Sequence, residues 1–445
     1  MNRQNEVGMD DIDGQSSAAT HTKTMPEASR RFGRNPRGSA QKVNLAVRQS
    51  LRHLIQRYKE FRIVVACSGG ADSLALGAAA IDCCYRMGIT CDSVTIDHGL
   101  RCGSLSEAKG VAAWMRFLGA NTARVMSVDA GNGCFGPEGN ARHARYAALN
   151  LALEQDLETN VSTAAIGNAC TEIPYKGGKQ SPGSLIADFS RVQTQPTGLQ
   201  QGEELLAKPL PGKPYPSSSQ RVFIMLGHTL DDQAETVLLG LGRGSGAHSL
   251  RGMTVLPQDD DDLFVRPLLG VRRKDTEQCC KYLGLDYVED PTNSIDGHWR
   301  KADGNPLRRT ALRHRVLPAL KEALGHDVAP ALARTAAMLH DDDTALEHIA
   351  NDLYQRNVTR ANVSSSYIID TFEVKDIPKA IRRRLIRRVL INAGCPGGAL
   401  TSTHIYSVDT LIVAWRGQKP LNLPGGVRAW RRSGTNDVVI GAQVD

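Results

Sequence analysis

The chain has 445 residues, which exceeds one ordinary domain, so we expect two or three packing units. Its formal net charge of +7 and its pI near 8.9 favour a polyanionic partner. The ten cysteines show no CxxC and no Cys/His ligand spacing, so neither a zinc site nor an iron–sulfur cluster is indicated. Because no apolar leader and no apolar run of membrane-spanning length is present, we expect a cytoplasmic chain without a membrane partner.

The pattern along the chain predicts three regions. Residues 1–42 lack apolar periodicity and are predicted to be a disordered basic tail. Over 43–300, apolar β-branched segments alternate with helical patterns, which predicts an α/β domain with a parallel twisted sheet and helices on both faces. This domain is interrupted at 157–219 by a Gly-, Pro- and Ser-rich insert that we expect to be disordered. Residues 301–445 are predicted to form a mostly helical C-terminal domain that ends in a hairpin.

The strongest chemical signal is a hexapeptide between a predicted strand and a predicted helix. It consists of Ser68, Gly69, Gly70, Ala71, Asp72 and Ser73. The glycines permit a tight turn that exposes consecutive N–H groups, and the helix start adds a positive dipole end. These features predict a phosphate cradle in which the serines donate hydroxyl groups and Asp72 holds Mg²⁺. An ordinary strand-to-helix turn is the alternative. Walker A and GxGxxG patterns are absent at this position.

SGGxDS is the PP-loop signature, and the chain resembles the N-type ATP pyrophosphatases, in which this loop holds pyrophosphate while AMP is transferred to a substrate oxygen. Further segments have the order seen in the tRNA(Ile)-lysidine synthetase family, which the chain resembles closely over about 60–155 and 220–320. These segments are DHGLR at 97–101, ARHARY at 141–146, GHTLDDQAET at 227–236, RPLL at 266–269, EDPTN at 289–293 and RTALR at 309–313. Thr310 stands where the family usually has Asn.

This resemblance implies a ligase that joins free L-lysine to C2 of the unmodified wobble cytidine of tRNA(Ile). The reaction would pass through an adenylated cytidine and release AMP and pyrophosphate, with ATP as co-substrate and Mg²⁺ as cofactor. Two alternatives stay open at this point, and the oligomeric state, including a homodimer, is also open. A PP-loop tRNA thiolase is disfavoured because CxxC is missing, and a non-enzymatic nucleotide-binding protein would not need paired carboxylates.

The resemblance also assigns roles to residues, beside simpler structural interpretations. Asp72, Arg142, Asp231 and Glu235 are the candidate catalytic residues, and Asp231 or Glu235 would accept the proton of the lysine amine. Carboxylates at a helix start also act as caps, and arginines on a helix often form a solvated face. For ATP we expect the hexapeptide together with Asp97 and His98, which follow a strand as ligand sites of open sheets do. The predicted Mg²⁺ ligands are Asp72 and Asp232.

Six further residues are predicted to bind substrate: Arg145, His228, Arg309, Arg313, Arg383 and Arg387. The last two belong to Arg382–Arg388, which contains five arginines in seven residues. This segment is either a tRNA phosphate contact or a solvated helix face.

Overall fold

The computed structural model describes residues 24–97, 103–128, 149, 221–259, 262–288, 295, 300, 304–361 and 366–442. The chain forms two compact units. The first combines Met1–Gly227 with Val255–Asp290, and the second combines His228–Thr254 with Pro291–Asp445. The sequence placed a single boundary near residue 300, whereas the segment 228–254 joins the second unit. The predicted insert at 157–219 lies outside the described residues.

The first unit contains a parallel five-stranded sheet with the order β3-β2-β1-β4-β5. Its strands are β1 Phe61–Ala66, β2 Cys91–Asp97, β3 Ala123–Ser127, β4 Arg221–Leu226 and β5 Phe264–Val265. Its described helices are α1 Glu27–Phe32, α2 Gly38–Arg57, α3 Ala71–Met87, α4 Ser104–Leu118 and, after two helices of the second unit, α7 Arg273–Leu283, with a 3₁₀ turn at Pro267–Gly270. The apolar runs 63–65 of β1 and 222–226 of β4 are buried, as expected for the centre of a sheet covered on both faces. The α/β prediction is confirmed.

The structure differs from the sequence prediction at the N-terminal end of the described chain. Within the predicted tail, α1 forms and α2 begins at Gly38. Ala28 and Phe32 of α1 are 1% exposed and belong to the core of the first unit. The tail prediction was therefore wrong for residues 27–32 and 38–42. A six-residue helix with two apolar anchors is too short to show a helical period, so only its packing reveals it.

The strand order reverses between β1 and β4. The connection from β1 leads through α3 to β2 on one side, whereas β4 pairs with the other edge of β1. In open α/β sheets, such a reversal leaves a crevice at the carboxyl ends of the strands, where ligands bind. The residues directly after Ala66 and Leu226 therefore occupy the favoured ligand position of this unit.

The second unit is mostly helical and contains a small antiparallel sheet with the order β6-β7-β10-β9-β8. Its helices are α5 Leu230–Leu241, α6 Ala247–Leu250, α8 Arg308–Ala311, α9 Leu317–Leu324, α10 Ala329–Asn357, α11 Thr371–Val374, α12 Lys379–Asn392 and α13 Ser402–Val413, with a π-helical turn at Leu312–Val316 and a 3₁₀ turn at Pro424–Gly426. Its strands are β6 Val358–Arg360, β7 Tyr367–Asp370, β8 Leu421–Asn422, β9 Val427–Arg431 and β10 Asp437–Ala442.

The predicted C-terminal hairpin is present as β9 and β10, which pair from Val427–Ala442 to Arg431–Val438. The sequence did not reveal β6 and β7, because strands of three and four residues carry almost no alternating pattern. Val389 and Ile412 of the helices and Ile440 of the sheet lie in one apolar core. Within the described ranges, no helix combines the length and apolar character that a membrane crossing requires.

Candidate active site

The turn between β1 and α3 lies at the reversal of the strand order. Gly69 has φ +85°, in the left-handed region, and a Cβ added there would lie 2.6 Å from Val111 Cγ2, so this position requires glycine. Gly70 has φ −71°, which other residues adopt as well. A Cβ on Gly227, directly after β4, would lie 3.1 Å from the backbone nitrogen of Ser73. Glycine at that point therefore lets β4 end close to the start of α3.

Hydrogen bonds from Ser73 hold the turn in shape. Ser73 Oγ accepts the backbone N–H of Ser68 at 3.1 Å and donates to the Gly70 carbonyl at 3.0 Å. Ser68 Oγ lies 3.2 Å from Ser73 Oγ. No side chain caps α3, whose N-cap residue is Gly70. The first-turn N–H groups and the helix dipole therefore favour an anion in front of the helix, which suits the phosphate groups of a nucleotide.

Asp72, in the first turn of α3, is held by α7 of the same unit. Arg273 Nε donates to Asp72 Oδ2 at 3.1 Å, and the Thr276 hydroxyl donates to Oδ1. The Asp72 side chain keeps 22% of its surface exposed. These contacts fix the direction of the carboxylate beside the turn.

The two α7 residues that hold Asp72 were not among the predicted site residues. Arg272, Arg273 and Lys274 stand at the start of α7, where the positive end of the helix dipole disfavours cations. Cations at this unfavourable position indicate that at least one of these side chains binds a partner elsewhere in the fold. Arg273 is now explained by its ion pair with Asp72.

In the second unit, Asp232 caps α5. Its Oδ2 accepts hydrogen bonds from the backbone N–H and the hydroxyl of Thr229, both at 2.8 Å, which completes a capping box. Arg313 Nη2 lies 3.6 Å from the other carboxylate oxygen. The helix-cap interpretation that the sequence left open for these carboxylates therefore describes Asp232.

Glu235, one turn further along α5, lies between two predicted substrate-binding arginines. Arg313 Nε donates to Glu235 Oε1 at 2.8 Å, and Arg309 Nη1 lies 3.6 Å from Oε2. The Glu235 side chain is fully buried. The motifs at 227–236 and 309–313 thus meet as an ion-pair network that connects α5 to α8 and the π-helical turn. Thr310, the departure from the family pattern, is buried in α8.

Two other predicted site residues of the motif at 227–236 are more accessible to solvent than Glu235. His228 and Asp231 are both half-buried. A base that takes a proton from a substrate must reach that substrate, so Asp231 suits this role better than the enclosed Glu235.

Most of the arginines in Arg382–Arg388 bind partners within the second unit. Arg382 is 8% exposed and donates through Nε to Asp409 Oδ1, and Arg383 Nε donates to Asp409 Oδ2 at 3.0 Å. The Arg383 guanidinium also stacks 4.0 Å from the ring centroid of Tyr406. Both side chains therefore stabilise the packing of α12 against α13.

The other three arginines of this cluster differ in whether they bind a partner within the second unit. Arg384 Nη2 donates to Asp343 at 2.6 Å, and Arg388 Nη1 donates to Asn351 at 2.6 Å. Arg387 is half-buried and forms no ion pair or hydrogen bond with the described residues. Among the five arginines, Arg387 is therefore the one whose guanidinium is available to a ligand in the described part of the chain.

Several predicted site residues lie at or beyond the limits of the described chain. Asp97 ends β2 and is 6% exposed. His98, Arg142 and Arg145 lie outside the described residues, so their predicted roles stay predictions.

The seven described cysteines, all of them buried and free, do not form a reactive thiol site. Burial raises the pKa of Cys67 to about 11, although hydrogen bonding with Gly69 and Ser73 opposes the shift. Burial likewise raises the pKa of Cys83 and of Cys279 to about 12. Such thiols stay protonated at neutral pH and are poor nucleophiles. Cys102, Cys134 and Cys170 lie outside the described residues.

A phosphate-binding turn of this sequence at the strand reversal of a parallel sheet defines a PP-loop nucleotide-binding protein. A family model described as "PP-loop domain" matches residues 43–172 and 215–320, and a model described as "TilS substrate binding domain" matches residues 373–435.

The tRNA(Ile)-lysidine synthase of Thermobifida fusca is 35% identical over 392 residues, which cover 88% of this chain and 95% of the relative. That of Streptomyces coelicolor is 36% identical over 372 residues, which cover 84% of this chain and 83% of the relative. The chain therefore belongs to the tRNA(Ile)-lysidine synthase family, whose members are enzymes. Among solved structures, the U34-tRNA thiolase NcsA from Methanococcus maripaludis with its [4Fe-4S] cluster aligns with 13% identity and a TM-score of 0.36, covering 68% of this chain and 79% of that chain.

Proposed function

We propose that the protein forms lysidine in tRNA(Ile) by joining L-lysine to C2 of the wobble cytidine, with ATP as the activating co-substrate. The observation that carries this proposal is the uncapped start of α3 behind the Ser68–Ser73 turn, in a chain of this family. A site that holds pyrophosphate favours attack at the α-phosphate, because it stabilises pyrophosphate as the leaving group.

The reaction would proceed in two balanced steps. The C2 oxygen of cytidine forms a bond to the α-phosphorus of ATP, and the bond from that phosphorus to the bridging oxygen of pyrophosphate breaks. The ε-amine of lysine then bonds to C2, AMP leaves with the former C2 oxygen, and the amine loses one proton to a base. Adenylation is needed because the free C2 oxygen is a poor leaving group.

The residues of the first unit supply the positioning. The hydroxyl of Ser68 and the first-turn N–H groups of α3 would bind the β- and γ-phosphates, whereas the predicted ligand Ser73 uses its hydroxyl to hold the turn that presents them. Arg273 orients Asp72 through the 3.1 Å ion pair, so the carboxylate is held beside the phosphates rather than turned toward solvent.

Mg²⁺ fits one of its two predicted ligands. Asp72 stands in the first turn of α3 beside the phosphate cradle, is 22% exposed, and offers carboxylate oxygens, which are the ligands that Mg²⁺ prefers. Asp232 fits poorly, because the Thr229 cap and Arg313 already engage its two oxygens. We therefore propose Asp72 alone as a protein ligand of Mg²⁺, which would neutralise charge on the leaving pyrophosphate.

For the lysine step we propose Asp231 as the base, since it is the accessible carboxylate of the α5 motif. His228, Arg309 and Arg313 would then shape the substrate side of α5, the two arginines through their contact with Glu235. Lysine as the amine, a homodimer and the cytoplasm as the place of action stay predictions.

The proposed function is tested by incubating the full chain with ATP, labelled lysine and an unmodified tRNA(Ile) transcript. We expect label in the RNA together with equal amounts of AMP and pyrophosphate. A transcript in which uridine replaces the wobble cytidine is the matched control and should stay unlabelled. ADP as the main nucleotide product, or label in the control transcript, would contradict the proposal.

A further inference from the structure

The second unit contains a cleft of about 560 Å³ between the C-terminal end of α5 and the segment formed by α8 and the π-helical turn. Leu238, Leu239 and Leu312 contribute apolar surface to it. Arg243, Arg308 and Arg315 contribute cationic surface. None of the described residues that line the cleft is acidic. The cleft thus combines three guanidinium groups with an apolar wall.

The three cleft arginines are available to a ligand. Each is exposed, and none forms an ion pair or hydrogen bond within the described part of the chain. Arg309 and Arg313 on the same segment differ, because they bind Glu235. Arg309 and Arg313 therefore connect this segment to α5, whereas Arg308 and Arg315 are exposed to solvent.

Residue spacing explains this division. Arg308 and Arg315 are seven residues apart and so lie on one side of the helical segment, where both line the cleft. Arg309 and Arg313 are four apart and lie on the side that meets α5. Three cations in one concave site whose described lining contains no carboxylate create a positive potential that attracts anions. Guanidinium groups match phosphate oxygens in geometry, and the leucines offer a surface to a ribose or a base.

We propose that this cleft binds the phosphodiester backbone of the tRNA substrate. The proposal rests on the proposed function, because that function requires a tRNA whose body supplies most of the binding energy. An RNA strand fits better than a free nucleotide, since three guanidinium groups can bind the phosphates of successive nucleotides and the cleft is open to solvent. The ligand is therefore a run of two or three nucleotides of the tRNA.

The test compares two triple variants of the full chain that lose the same charge. Arg243→Ala/Arg308→Ala/Arg315→Ala removes the cleft cations, and Arg334→Ala/Arg356→Ala/Arg360→Ala removes three exposed arginines of the same unit outside the cleft. Binding of the unmodified tRNA(Ile) transcript is measured across a series of KCl concentrations. The cleft variant should bind about tenfold or more weakly, and its log–log salt slope should fall by about 2 to 3, since each of three lost phosphate contacts removes about 0.7 to 0.9 units. Thermal melting checks that both variants are folded.

Each outcome decides the proposal. A loss of tRNA affinity in the cleft variant alone, with the KM for ATP unchanged, supports it. Equal losses in both variants would mean that only net charge matters and would overturn it. A raised KM for ATP with unchanged tRNA affinity would identify a nucleotide site and overturn it as well. If wild type forms lysidine and the folded cleft variant binds tRNA normally, the cleft proposal alone fails. If wild type forms no lysidine, the proposed function fails, whatever the binding result.

Discussion

The PP-loop turn and the arginine-rich helix α12 are both short segments of unusual composition, yet they relate to their sequences in opposite ways. In the turn, the chemistry resides in the backbone: Gly69 needs a positive φ, and α3 starts without a side-chain cap. In α12, the arginines are long side chains whose role depends on what packs against them. Asp409 engages Arg382 and Arg383, and Asp343 engages Arg384. A local backbone motif therefore predicts its function more directly than a cluster of charged side chains.

The largest expected effect concerns Asp72. Asp72→Ala should lower lysidine formation by about a thousandfold, since it removes a charged group beside the reacting phosphates. Its thermal melting should stay close to that of wild type, because the side chain is partly exposed. Asp82→Ala is the matched control on the same helix: Asp82 is buried and bonded to Asn44 and Arg86, so this variant should lose stability rather than turnover per folded molecule. Turnover of Asp72→Ala within tenfold of wild type would make Asp72 a merely structural residue.

Glu235 provides the second test, because it is both a predicted catalytic residue and a buried partner of two arginines. Glu235→Ala should lower the free energy of unfolding by about 3 kcal/mol, since it leaves Arg309 and Arg313 without their shared carboxylate. Denaturant unfolding measures this loss, and Glu235→Gln should lose less because it retains an acceptor. If Glu235→Ala instead melts like wild type and loses turnover by a hundredfold, the sequence prediction of a catalytic base is the better one.

The difference between backbone motifs and side-chain clusters also separates what the sequence predicts from what it cannot predict. The parallel sheet could be predicted because strands covered on both faces, such as β1 and β4, need continuous apolar runs in their buried parts. The partner of Asp72 could not, since Arg273 lies 201 residues away and no local pattern joins the two. Helix α1 is a related case: Phe32 is buried only because the first unit packs around it. Backbone patterns are local, whereas side-chain partners are set by the tertiary fold.

Asp343 of α10 allows the role of the α12 arginines to be tested by pH, because its carboxylate binds Arg384 of α12. It accepts hydrogen bonds from Arg384 at 2.6 Å and from His248 at 2.9 Å, and Arg251 lies 3.1 Å away. Burial alone would raise the pKa of Asp343, but the bonds from Arg384 and His248 lower it below the ordinary 3.8. The unfolded chain therefore takes up this proton at a higher pH than the folded chain.

This difference in pKa has a definite sign for stability. The contribution of Asp343 is fully present above about pH 4 and is lost as the pH falls from there through the lower folded pKa, with a slope of at most about 1.4 kcal/mol per pH unit. Asp343→Asn should be less stable at neutral pH and should lose less on acidification below pH 4. Denaturant unfolding of both proteins at pH 3, 4, 5 and 7 measures the difference. Parallel stability curves would show that Asp343 is not linked to folding.

The smallest effect should separate two arginines of the same helix. Arg382 is 8% exposed and bonded to Asp409, whereas Arg387 has no ion pair or hydrogen bond within the described residues. Arg382→Ala should therefore destabilise the second unit, because it leaves the Asp409 carboxylate with one cation fewer. Arg387→Ala should leave the melting temperature unchanged, and if Arg387 contacts tRNA as the sequence predicts, it should lower the log–log salt slope of tRNA binding by about one unit. Arg383 belongs with Arg382 in this comparison, since Asp409 and Tyr406 hold its guanidinium. A normal salt slope in the folded Arg387→Ala protein would assign the arginines of this cluster to the packing and solvation of α12. The phosphate contacts of this unit would then have to lie elsewhere, and the cleft of Arg243, Arg308 and Arg315 is the candidate.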